Sequence, residues 1–146
     1  MRYYISDHEL MYFNYNEVSS TSFFMIIEEI DGLLDTFERD IELIEVMGRD
    51  GELIIDNHRK KSKDIIIRGH IDVEKSYFPV DMLAVKIEEW LQSEMSYKPL
   101  FFKDHDIKYN AICFNQIKLS EVIKDLCSFE ITFRVNPNVK LMTWGD

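Results

Sequence analysis

"EVMGRDGELII", Glu45 to Ile55, places Gly48-Arg49-Asp50-Gly51 between two stretches in which charged and apolar residues are interleaved. Ile41 to Met47 leads into it and Glu52 to Ile55 leads out, both rich in β-prone residues. Asp-Gly tolerates the positive φ angles of the primed turns, so the stretch predicts a tight β-hairpin. A hairpin is marginal alone, and the flanking sequence supplies further strands.

"DIIIRGHIDVE" (Asp64 to Glu74) sets Ile67, Gly69, Ile71 and Val73 against Arg68, His70 and Asp72, the period of a half-buried strand. "FEITFRV" alternates as cleanly, with Phe129, Ile131, Phe133 and Val135 inward, until Asn136-Pro137-Asn138 ends it. Phe23 to Asp31 reads as β and closes on Asp31-Gly32, a turn signal. "KPLFF" (Lys98 to Phe102) and "IKYNAICF" (Ile107 to Phe114) flank a polar turn at Lys103 to Asp106. Met11 to Val18 reads as a strand end or turn, Ser19 to Ser22 as a polar break, and Leu33 to Arg39 as an irregular connection. Asn57 to Lys63 reads as a basic loop.

One segment has a different period. From about Pro79 to Glu94, Leu83, Ile87, Trp90 and Leu91 form a single apolar stripe at helical spacing. Asp81 is placed to cap it, accepting a first-turn N–H. The pattern predicts a mainly β (α+β) fold: an antiparallel β-sandwich carrying one flanking α-helix, as a single domain over residues 1–146.

Composition narrows the function. Aromatics at 13% and apolar residues at 46% exclude a disordered chain. A formal net charge of −10 argues against a surface that grips nucleic acid by neutralising phosphates. Met1 to Leu10 shows no apolar leader core. No apolar run approaches the ~20 residues a membrane helix needs, so a soluble chain is expected. Cys113 and Cys127, without CxxC spacing, read as reduced buried residues.

Catalytic chemistry finds little material. Asp104-His105-Asp106 and His70-x-Asp72 carry metal-ligating types without the spacing of a zinc or facial-triad site. Neighbouring residues in extended chain point to opposite faces, so Asp104 and His105 do not readily share an ion. A phosphate loop, a nucleophile elbow and a zincin motif are all absent. The expectation is a non-enzyme with no catalytic residues, metal or cofactor. The basic run Arg59-Lys60-Lys61-Ser62-Lys63 reads as a solvated loop or as a positive strip that meets a negative face on a second copy.

In order along the chain, "GRDGELIIDNHRKKSKDIIIRGHI", a helix carrying "EEWL", "LFFKDHDIKYNAIC" and "FEITFRVNP" resemble the N-terminal domain of the phage distal tail protein family. The resemblance runs from about Tyr12 to Pro137. Its landmarks are the glycine turn Gly48 to Gly51, Ile65 to Ile67, Trp90-Leu91, Asp104 to Asp106 with Tyr109 and Ala111, and Phe129 to Pro137. It implies a projecting β-hairpin on the sandwich and a hexameric ring around a channel through which DNA passes unbound. It also implies docking to the tail tube protein on one face and to the tail-tip hub protein on the other. The implied location is the virion tail tip, after synthesis in the host cytoplasm, with no membrane partner. The family's second, carbohydrate-binding-like domain is not expected here, since the sequence stops soon after Pro137.

A ring of identical chains needs two complementary surfaces per subunit. Gly48, Arg49, Asp50 and Gly51 are candidates for an arm reaching a neighbour. Arg59, Lys60, Lys61 and Lys63 are candidates to face acids such as Glu38, Asp40, Glu42 or Glu45 across that contact. The alternatives are a monomeric β-sandwich adaptor and a metal-dependent enzyme built on Asp104 to Asp106.

Overall fold

The computed structural model describes residues 2–4, 11–123 and 126–141. The elements are β1 (Arg2–Tyr4), β2 (Phe13–Tyr15), β3 (Val18–Ser19), a 3-10 turn (Ser20–Phe23) and β4 (Met25–Asp31). The hairpin follows as β5 (Arg39–Glu45) and β6 (Glu52–Lys60), then β7 (Lys63–Asp72), α1 (Val73–Ser76) and α2 (Val80–Gln92). β8 (Lys98–Phe102), β9 (Ile107–Ile112), β10 (Lys118–Ile123), β11 (Leu126–Val135) and β12 (Lys140–Leu141) complete the order. The leader reading of Met1 to Leu10 lies outside the described residues except at 2–4.

All described pairings are antiparallel, along the path β1-β4-β7-β11-β9-β8-β2-β3, with β10 also on β11 and β12 on β9. β11 divides its pairing: its first half meets β10, while only Arg134 and Val135 meet β9, opposite Ile112 and Ala111. There the sheet folds over on itself. β2 is three strands from β11 on this path, a distance of roughly 14 Å in a flat sheet. Yet the Phe133 ring lies 5.6 Å from Phe13 and 5.0 Å from Tyr15. The two layers are therefore face to face, and the fold is the expected mainly β sandwich.

The inward residues are those the alternation selects. Ile65, Ile67 and Ile71 on β7 and Phe129, Ile131, Phe133 and Val135 on β11 are buried against Phe13, Tyr15, Leu100, Phe102 and Ala111. α2 flanks the sandwich through Leu83, Ile87 and Leu91. Trp90 fixes it: the indole stacks on Phe13 and Phe23, and its N–H donates to the Tyr15 carbonyl at 3.0 Å.

Five expectations are corrected. Residues 57–60 are the end of β6 rather than a loop, because this basic run lies along the hairpin and keeps its charges in water. Pro79, not Asp81, occupies the helix cap, its ring presetting φ at −66°; Asp81 sits in the first turn and accepts the Met82 N–H at 2.9 Å. Ser20–Phe23 is a 3-10 turn capped by Ser19 rather than an unstructured break. The connection at Gly48 to Gly51 is longer than a tight primed turn, running from Val46 to Gly51. β7 stops at Asp72 rather than Glu74: Asp72 caps α1 by accepting the Lys75 N–H, which turns Val73 and Glu74 into helix. β10 arises where the sequence carried no periodic signal.

Candidate assembly interface

β5 and β6 form a sheet of their own, paired with no other described strand. Cross-strand partners share a face, so one face carries Ile41, Leu43 and Ile54 and the other carries Ile44, Leu53 and Ile55. Neither face is covered: Leu43 is 55% exposed and Ile54 65%, and the remaining four are each more than a third exposed. Apolar residues on both faces of a two-stranded ribbon ordinarily mark a buried strand. Here they project into solvent.

The base of this arm is built from charge. Between the pairs Arg39–Lys60 and Ile41–Asp56, β6 contains two residues more than β5, a bulge at which His58 adopts φ 58°. The His58 N–H donates to Asp56 at 2.8 Å, and Arg39 pairs with the same carboxylate. Arg59 and Asn57 both bond Asp40. The Arg59 and Asn57 bonds hold the Asp40 carboxyl below its ordinary range, and the His58 amide, with Arg39, does the same for Asp56. At the tip, the Arg49 N–H donates to the Val46 carbonyl at 3.2 Å, which places Gly48, at φ 79°, where such a turn demands a positive φ. Gly51, at φ 82°, turns the chain back into β6.

The candidate interface residues therefore fall into separate places. Gly48, Arg49, Asp50 and Gly51 are exposed at the tip, and Lys60 and Lys61 are exposed at the base. Arg59 is paired within its own chain to Asp40, one of the acids expected across a contact. Lys63 is apart from the rest. Its ammonium donates to the carbonyls of Leu33 and Asp35 and lies over the rings of Phe37 (5.0 Å) and Tyr109 (5.5 Å). Burial lowers its pKa, opposed in part by Asp35. The Tyr109 hydroxyl donates to the same Leu33 carbonyl at 3.3 Å. Lys63 thus ties the connection that launches the arm to the body of the sandwich.

A second exposed apolar surface had no signal in the sequence. Phe24 and Tyr77 both adopt the left-handed conformation, at φ 58° and 62°, and Tyr77 is 93% exposed. Phe78, Met82 and Val85 are exposed shortly after Tyr77 in sequence, and the Lys86 ammonium lies 4.8 Å from the Phe78 ring centre.

The polar clusters weighed as chemistry are engaged locally. His105 packs edge-on against Phe102, and its N–H donates to the Phe102 carbonyl; Asp104 and Asp106 are exposed in the β8–β9 turn. His70 pairs with Glu28, and Asp72 caps α1 through the Lys75 N–H. Among the described residues no group of three or more His, Cys, Asp or Glu is placed to hold a metal ion. Cys113 and Cys127 are buried free thiols, both pushed up in pKa by burial. No described helix is long and apolar enough to cross a membrane.

No protein family profile matches the chain, and no curated protein matches it. Among solved structures it is similar to the SPP1 Dit protein (gp 19.1), described as a paradigm of the hub adsorption apparatus in phages infecting Gram-positive bacteria. The TM-score is 0.70 at 11% identity, over 87% of this chain and 50% of that one. At that identity the likeness is one of fold, and the chain spans half the length of SPP1 Dit.

Proposed function

We propose that the chain is a structural component of a phage tail tip, whose copies join head to tail into a ring of six around a channel. The ring is set between the tail tube protein and the adsorption hub. The observation that carries this reading is the arm. A free-standing β-ribbon with apolar side chains on both faces needs a covering partner, and here it projects from a fold shared with a phage hub protein.

In this reading the tip, Gly48 to Gly51, and the basal Lys60 and Lys61 take part in subunit contacts. Arg59 and Lys63 set the arm's exit from the body. The net charge of −10 suits a channel wall that repels phosphates, so that DNA passes without binding. The role is structural rather than catalytic and uses the chain as one domain.

Negative-stain electron microscopy tests it, on the purified chain alone and mixed with a phage tail tube protein. Closed rings with a central hole, stacking on the tube, are expected. Particles no larger than single subunits in both samples would overturn the reading.

A further inference from the structure

Resting on that reading, we infer where the arm docks: on the ledge formed by Phe24, Tyr77, Phe78, Met82 and Val85 of the next copy of this chain. The two surfaces lie at opposite ends of one strand. The arm enters β7 at Lys63, and the ledge begins where β7 passes into α1 after Asp72. Phe24 joins that end through its carbonyl, which accepts the Asp72 N–H at 3.1 Å. β7 has ten residues, so about 30 Å separates the two. A projecting surface at one end and a receiving surface at the other is the arrangement of a heterologous contact, which repeats from copy to copy and closes when the rotation permits.

The ledge is also held open against local preference. Left-handed backbone is unfavourable for aromatic residues, and two of them, Phe24 and Tyr77, adopt it on either side of α1. Each ends a short helical turn there, where glycine is the usual occupant, and an aromatic kept at such a position while 93% exposed, as Tyr77 is, suits an interface anchor. Met82 and Val85 share the helix face turned away from the buried Leu83, Ile87 and Leu91, together with Lys86.

Charge selects which face of the arm is used. Glu45 and Glu52 are direct cross-strand partners, an arrangement that is unfavourable unless a cation answers it. They extend the Leu43–Ile54 face toward the tip. On the ledge, Lys86 sits on Phe78, and Lys75, paired with its own Asp72 at 3.9 Å, keeps its side chain 73% exposed. Laying Leu43 and Ile54 on Met82 and Val85 brings the glutamate pair toward these lysines.

The test uses the full chain, following mass against concentration by light scattering. Ile54→Asp removes the arm's apolar contact. Tyr77→Gly removes the anchor while suiting the φ of 62°, so this variant folds at least as well as the parent. Each substitution is expected to raise the concentration at half-assembly about tenfold or more, the effect of losing an interface anchor. Ile54→Cys chains mixed with Met82→Cys chains are expected to form an interchain disulfide that neither variant forms by itself. If Ile54→Asp blocks assembly while Tyr77→Gly does not, and no mixed disulfide forms, the ledge is wrong and the arm-built ring stands. If the parent assembles regardless of Ile54→Asp, the arm docking fails while a ring built on other contacts stands; if the parent stays at 17.5 kDa, the ring reading fails and this docking with it.

Discussion

Single residues decide where the sandwich has no slack. Gly69 lies on the buried face of β7 opposite the β4 bulge between Ile27 and Glu29, and a Cβ there would collide with the Ile26 carbonyl oxygen. Strand preference alone favours Ala over Gly in a strand interior. The collision is with backbone and outweighs it, so Gly69→Ala is expected to cost about 1–3 kcal/mol in urea unfolding. Lys63 makes the opposite case, a cation accommodated by carbonyls and rings. Lys63→Met leaves the Leu33 and Asp35 carbonyls without that donor and is expected to cost about 1–2 kcal/mol. The sign of its pH dependence follows from the lowered pKa. The unfolded chain holds this proton more tightly than the folded one, so the parent gains stability as pH rises through the lowered folded value toward 10.5. The Met variant lacks that gain. Urea unfolding of the two proteins across alkaline pH measures the difference.

At the scale of elements, the arm is the part held least by the core. Beyond its backbone ladder, its base is held by Asp40 and Asp56, whose pKa values are lowered by their partners. A carboxyl with a lowered folded pKa contributes above its unfolded value of 3.8, and the contribution disappears as pH falls through the folded one. Cross-strand NOEs between β5 and β6 are therefore expected to weaken on acidification below pH 3.8, before those between β7 and β11. Because Ile54 is 65% exposed and its pairing partner is Leu43 of the arm, Ile54→Asp is expected to change the monomer's unfolding free energy by no more than about 1 kcal/mol in urea titration.

The same contrast explains what could be read from sequence. β7, β11 and α2 were legible because one face of each is buried, and burial imposes a period. β10 is largely exposed and was invisible, and α1, only four residues long, was hidden because the buried Val73 continues the alternation of β7. The arm's existence was legible from its glycines and β-prone runs. Its exposure was not, since apolar residues on both faces look the same whether a strand is buried or projecting. The ledge was hidden for a different reason: nothing local in "KSYFPV" announces that Tyr77 takes a positive φ.

At the scale of the whole molecule, these features amount to an acidic sandwich with an apolar arm at one end of β7 and an apolar ledge at the other. In the proposed reading these are the two contact surfaces of a ring subunit. The central claim is that the arm assembles copies of the chain into a closed ring, and native mass tests it most directly. Light scattering on the parent chain is expected to give about 105 kDa, six times 17.5 kDa, and on the Ile54→Asp variant 17.5 kDa. A parent chain that remains at 17.5 kDa as concentration is raised would contradict the account.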